Sequence, residues 1–277
     1  MIKAGRNQME SAHTELWRYR GFIFSSVKRE FKSRYMNSLF GALWAFVGPL
    51  AMILMYTLIF SQLMRTKIAG IDSVYGYSTF LCAGMLTWGF FSETLTRSIN
   101  VFVENANLIK KINFPKACLP LIVFLNSAIS FGIIFTLFLI AQAFIGSFPG
   151  VKLVAILPLL TIQTMMALGL GIAFGVINVF FRDVGHIFNI GMQFLFWGTP
   201  IVYPLNVLPE FFQSLVRLNP LTALIMGYQD VIVKDIWPDW LSLWWPATCG
   251  LGSVIAATTR EIPAAISASA QGGVRPW

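Results

Sequence analysis

Reactive side chains are few and scattered in this 277-residue chain. The only two histidines, His13 and His186, have no acidic or thiol partner in the local sequence. Neither forms the base-plus-orienter arrangement that acid–base or nucleophilic catalysis needs. Cys82, Cys118 and Cys249 fall in or beside apolar runs. They lack metal-ligand spacing and their number is odd, so they read as packing residues and no metal site is expected. No nucleophile elbow and no GxxxxGK[ST] phosphate loop is present. What remains is physical rather than catalytic chemistry. Glu93 and Arg97 stand four residues apart, acid first, the spacing of a helical ion pair. An ion pair within a membrane span is a functional hypothesis by default. Here it lies toward one end, where arginine can snorkel. Two readings stay open: a structural tie, or the lock of a closed gate.

The second charged feature is an island, Val101–Pro120, reading VFVENANLIKKINFPKACLP between two long apolar blocks. Leu108, Ile109 and Ile112 recur at helical spacing beside Lys110 and Lys111, and Pro115 ends the turn. A lysine at mid-bilayer costs about 2.5–3.5 kcal/mol, so the island must lie at a membrane surface. It reads either as a short helix with one apolar face or as a solvated loop.

The elements that hold these residues are set by composition. The chain is 56% hydrophobic and only 12% charged, with a mean hydropathy of +0.69. Soluble domains carry about 25% charged residues. The class is therefore an all-α, polytopic membrane protein. The net charge of +8 does not indicate nucleic acid. Its basic residues collect between apolar spans instead of forming one stripe with spaced aromatics.

Charge-free gaps mark six spans, at about residues 41–63, 75–103, 117–144, 153–181, 186–203 and 241–259. Gly48-Pro49 is a candidate kink in the first. Gly171 and Gly175 form a GxxxG pattern in the fourth, expected to pack within the chain. Between the fifth and sixth spans, Leu208–Leu218 and Leu221–Lys234 are too short to cross and read as re-entrant helices. Residues 1–38 form a polar, basic N-terminal segment without the apolar core of a signal peptide. Within it, Leu16–Tyr35 reads as an amphipathic interfacial helix, with Ile23, Phe24, Val27, Phe31 and Tyr35 on one arc and Ser25, Lys28, Arg29 and Lys32 opposite. Residues 39–259 make the transmembrane domain, and 260–277 are expected to be a disordered tail. With both ends inside, cytoplasmic segments hold fourteen Lys and Arg against five outside. The island is then cytoplasmic.

Aromatic residues on two spans are candidates for a polar-polymer path, because sugars stack C–H faces on rings. They are Trp44 and Tyr56 on the first span, and Phe194, Trp197 and Tyr203 on the fifth. Each is equally open to ordinary packing. Pro200 leaves backbone carbonyls open, as suits a helix facing a wet cavity.

The run NANLIKKINFPKACLPL, then FRDV at Phe181–Val184, then TPIVYPL at Thr199–Leu205, resembles the ABC-2 type permeases. The likeness is nearest to subunits that export polysaccharide, O-antigen or teichoic acid, and extends over about residues 15–250, including KREFKSRYMNSLFGALWAFVGPL. The tail REIPAAISASAQGGVRPW departs from that family. The resemblance implies a homodimeric membrane half in the inner membrane, with ATP and Mg held by a separate ATPase subunit and an undecaprenyl-linked polysaccharide as cargo. The chain itself is then no enzyme and needs no cofactor. In the resembled family the island is the coupling helix, here Asn107, Leu108, Ile109, Lys110, Lys111, Ile112 and Phe114. Arg182 and Asp183 would make a second ATPase contact. Arg29, Lys32 and Arg34 form a cationic lip suited to a lipid pyrophosphate. Other cargoes (a drug or a plain lipid), a membrane-embedded glycosyl- or acyltransferase, and a passive channel are the competing classes. The transferase would need a polar catalytic cluster, and none is found; a passive channel would conduct without nucleotide in liposomes.

Overall fold

The structure, a computed structural model, describes residues 17–35, 43–63, 75–111, 114–115, 118–181 and 183–256. The apolar runs fold into helices, and the described residues hold ten α-helices and no strand. They are α1 (Arg20–Tyr35), α2 (Trp44–Leu63), α3 (Gly76–Glu104), α4 (Ala106–Lys111), α5 (Cys118–Ile145), α6 (Ile156–Phe180), α7 (Asp183–Trp197), α8 (Glu210–Leu218), α9 (Pro220–Val233) and α10 (Trp244–Ala256). Cys118–Ile145 and Val151–Phe180 are long and apolar enough to cross a membrane by length and composition. The expected disordered tail at 260–277 lies outside the described residues.

Helix α3 is the axis of the bundle. It packs on α2, α5, α6, α7 and α9, and its buried face includes Phe91, Leu95 and Ile99. Helix–helix association in lipid relies on close packing and on polar side chains that find partners across helices. Both devices are present. Gly171 of α6 lies against Leu95 and Ser98 of α3, so the glycine pair serves packing within the chain. Gln142 Nε2 donates to Thr79 Oγ1 at 3.0 Å, and Gln163 Nε2 to the Thr87 carbonyl at 2.7 Å.

One expectation changes. The fifth span stops as a helix at Trp197 rather than continuing to Tyr203. Thr199–Tyr203 turn instead, and two of their carbonyls are met from other helices: Gln229 Nε2 donates to Pro200 O at 3.0 Å and Tyr77 Oη to Val202 O at 2.6 Å. The two short helices expected between the fifth and sixth spans are present as α8 and α9. Asn219 Oδ1 caps α9 through the Leu221 N–H at 3.0 Å, with Pro220 at its first turn. Leu224, Ile225, Tyr228 and Val231 then bury α9 in the core. Helix α8 buries no residue, and its Phe211, Phe212, Leu215 and Leu218 lie bare on the surface. On α1, Phe24 is 69% exposed, whereas Ile23, Ser26 and Val27 are buried.

A clasp ties the loop before α6 to the end of α9. Asp235 Oδ1 accepts from Gly150 N at 3.2 Å, and Lys152 Nζ reaches both its carboxylate and its carbonyl. Asp235 holds a φ of 46°, the left-handed region. Asp235→Ala should therefore cost about 1–2 kcal/mol, more than Lys152→Ala, since alanine keeps the unfavourable φ and loses the acceptor. Thermal unfolding of the two variants in detergent checks that order.

Candidate functional site

The charged residues of α1 and α3 meet at one end of the bundle. Arg97, 22% exposed at its side chain, donates Nη1 to Glu93 Oε1 at 3.3 Å and also pairs with Glu30 of α1. Glu30 Oε2 accepts from Asn126 Nδ2 of α5 at 2.8 Å. The expected Glu93–Arg97 pair is thus half of a network that fastens three helices. Glu30 and Asn126 were missed by the sequence reading. Their partners lie far off in sequence, beyond the reach of an i,i+4 rule.

Two cavities flank this network. One, about 340 Å³, lies among α2, α3 and α5 and is lined by Tyr56, Cys82, Phe90 and Glu93. The other, about 400 Å³, lies among α1, the end of α3, α4 and α5, and is lined by Arg29, Glu30, Arg97, Glu104 and Leu108. The Arg97 network separates an apolar compartment from a charged one.

The short helix α4 follows directly. Asn105 closes α3, its Nδ2 donating to the Val101 carbonyl at 2.9 Å. Asn107 and Lys111 are exposed, whereas Leu108 and Ile109 are half-buried. Those two residues, expected to enter a partner's groove, pack against the cluster of Ile23, Val27, Val101 and Leu119. Phe114, expected as a coupling contact, is 7% exposed, its ring 5.2 Å from that of Phe22. It anchors the island to α1. The side chain of Lys110, and Ile112 altogether, lie outside the described residues. Among the described side chains of α4, Asn107 and Lys111 are the exposed ones.

The turn between α6 and α7 sits at the same end. Asn178 Oδ1 accepts from Gly185 N at 3.1 Å, while its Nδ2 donates to the Ile99 carbonyl and to Asn100 Oδ1, each at 3.2 Å. Asn178, an amide near the end of an apolar helix, thus holds this turn to α3 a few residues from α4. Asp183 opens α7 and is exposed. Arg182 lies outside the described residues.

Arg29 and Lys32 are exposed on α1, and the side chain of Arg34 lies outside the described residues. The aromatic candidates are not gathered into one lining. Tyr56 faces the apolar cavity. Trp44, Phe194 and Trp197 are 48%, 76% and 64% exposed. Tyr203 turns back, its hydroxyl donating to the Trp197 carbonyl at 2.6 Å. On α2, Met55 and Leu58 are also bare, as are Ile187 and Ile190 on α7. Such apolar area must be covered by hydrocarbon or by another protein surface. Among the described residues no group of His, Cys, Asp or Glu could hold a metal ion. The arrangement can transmit force through packed and hydrogen-bonded helices.

Comparison with known proteins gives a consistent set of matches. The family model described as ABC-2 type transporter matches residues 22–233. The O-antigen export system permease protein RfbA of Myxococcus xanthus is 32% identical over 227 residues, covering 81% of this chain and 85% of that protein. RfbA of Klebsiella pneumoniae is 30% identical over 219 residues, covering 77% and 82%. The polysialic acid transport protein KpsM of Escherichia coli is 24% identical over 219 residues, covering 78% and 82%.

Proposed function

This chain belongs to the ABC-2 type transporter family, and from that premise we propose that it is the permease subunit of an ATP-driven exporter of a lipid-linked polysaccharide. The observation that carries the cargo class is its similarity, over more than three quarters of its length, to O-antigen export permeases. The chain lacks a phosphate loop, so ATP and Mg belong to a partner ATPase.

Six crossings of the inner membrane put both termini, the Arg97 network, α4 and the Phe181–Asp183 turn in the cytoplasm, as the charge bias favours. The ATPase docks on the outward face of α4 and on the turn at Asp183. Because α4 is packed under α1 and continuous with α3, a push on it moves α1 and α3 together. Two copies meet through α2 and α7, whose bare apolar faces carry Trp44, Phe194 and Trp197. Separating them opens a path lined by those rings. Arg29 and Lys32 receive the pyrophosphate of the undecaprenyl carrier, with Arg34 beside them in sequence.

Deleting the gene should abolish surface polysaccharide while lipid-linked polymer accumulates inside, and re-expression should restore export. Unchanged surface polymer would overturn the cargo reading in favour of a drug or lipid exporter. For docking, Asn107→Asp combined with Lys111→Glu should weaken ATPase co-purification about tenfold or more, the scale of roughly 1.4 kcal/mol. Melting of the isolated permease should stay unchanged, because neither side chain is buried. Full recovery of the complex would remove α4 as the docking element.

A further inference from the structure

At the end of the bundle remote from α4, a cleft of about 490 Å³ opens between α8, α9 and the start of α10. It is the size of a small-molecule site. The 29 residues of α3 separate the two ends by roughly 43 Å. We propose that this cleft binds carbohydrate, holding a short neutral stretch of the polymer where it leaves the transporter. The proposal rests on the polysaccharide reading above and adds a site to it.

Sugar recognition needs flat apolar surface for C–H faces beside fixed acceptors and donors for hydroxyls. Trp244 and Trp245 supply the surface, with ring centroids 5.8 Å apart and planes at 64°, an open corner. Trp245 is pre-set: its Nε1 donates to the Leu218 carbonyl at 3.1 Å, bridging α10 to α8. Trp244 is 61% exposed and presents its ring freely. Asp230 and Asp239 line the same cleft. Each has one carboxylate oxygen engaged within the protein, Asp230 Oδ1 by Lys234 Nζ at 2.6 Å and Asp239 Oδ1 by Leu241 N at 3.1 Å. The second oxygen of each is left to accept from a sugar hydroxyl. Arg217 adds a donor from α8.

The charge balance selects the ligand. Lys234 offsets Asp230, which leaves one carboxylate and one guanidinium facing the cleft, and a lining without net charge suits a neutral glycan better than a polyanion. The rings are also distinct from those on α2 and α7, so the cleft is not the path already assigned. A weak site at the exit biases motion outward: a polymer segment held there does not slide back during the next cycle. Only part of the ligand is enclosed, so release stays fast.

The test uses the intact permease–ATPase complex in phosphatidylcholine nanodiscs, with and without phosphatidylethanolamine. Saturation-transfer NMR is read on a neutral mannose trisaccharide and on a sialic acid trimer. Transfer to the neutral sugar is expected, and Trp244→Ala and Asp239→Asn should each weaken it about 3- to 10-fold, with transfer to the sialic acid weaker throughout. Three results would overturn the site: equal transfer in wild type and both variants, stronger transfer to the anionic sugar, or loss of transfer when phosphatidylethanolamine is added, which would make the cleft a lipid site. In cells, both variants should export polymer several-fold more slowly. Wild-type export by the variants, in a strain where deletion abolishes export, would sink the cleft and leave the transport reading standing. If deletion itself leaves export intact, the transport reading falls first.

Discussion

Gly171→Val is expected to leave almost no stable protein. An added Cβ at Gly171 would overlap the Cβ of Ser98 on α3 and come within 3.3 Å of the Leu95 carbonyl. One turn on, a Cβ at Gly175 would sit 2.9 Å from the Ser98 carbonyl. The obstruction is backbone and a short side chain, which cannot swing aside. On the opposite flank Gly169 faces Ser253 and the Val254 N–H at 2.7 Å. Helix α6 is thus wedged between α3 and α10 by glycines on two of its faces. Overpacking a filled core costs about 1–3 kcal/mol for a methyl group, and valine adds two further branched carbons. Because lipid offers no hydrophobic drive between helices, lost contact is not recovered elsewhere. Gly171→Ala should shorten the half-life of the detergent-solubilised protein at a fixed temperature severalfold, and Gly171→Val should remove the monodisperse species. Gly252→Ala is the control, since a Cβ there meets nothing within 4 Å. It should leave that half-life unchanged or lengthen it, as alanine favours the helix. A Gly171→Val protein as long-lived as wild type would mean that α3 and α6 do not approach this closely.

The glycine pattern was legible because its signal is local: two small residues four apart state a close approach on one helix face. The apolar runs were legible as helices for the same reason, since an uninterrupted run needs no distant partner to be seen. Partners were not. The sequence shows Glu93 four residues from Arg97, and nothing local marks Glu30 as the second carboxylate or Asn126 as its donor. The Thr199–Tyr203 turn was read as facing water because its carbonyls lacked local partners. Those of Pro200 and Val202 are met by Gln229 and Tyr77 from other helices. A signal existed: Gln142, Gln163, Asn178 and Gln229 are amides set within apolar helices, and each donates across to another segment. Such residues mark contact even where the partner cannot be named. The face that α1 turns to the bundle was not legible for a related reason. Apolarity put Ile23 and Phe24 on one arc, yet Ile23 and Ser26 are the buried ones and Glu30 binds Arg97 and Asn126.

Arg97→Met should be the most damaging single change among the charged residues, and more damaging than Glu30→Gln. Removing the guanidinium leaves Glu30 and Glu93 without their shared cation at a half-buried site, whereas removing Glu30's charge leaves Arg97 paired with Glu93. Breaking a charged hydrogen bond costs about 1.5–3 kcal/mol, with solvent screening placing this network toward the lower end. The pair can be separated from its surroundings by a double-mutant cycle. Glu30→Gln with Arg97→Met should be less unstable than the sum of the singles, by a coupling of about 0.5–2 kcal/mol. Arg97→Lys should fall between wild type and Arg97→Met, because a point charge replaces a planar fork that serves two carboxylates. The readout that separates function from stability is export per ATP hydrolysed by the purified complex. If the network carries motion from α1 to α3, Arg97→Lys should lose export while retaining most ATPase activity. Additive singles, or export and hydrolysis falling in proportion, would show instead that the apolar contacts of Ile23 and Val27 hold α1 in place and that the charges merely shield the cleft from solvent.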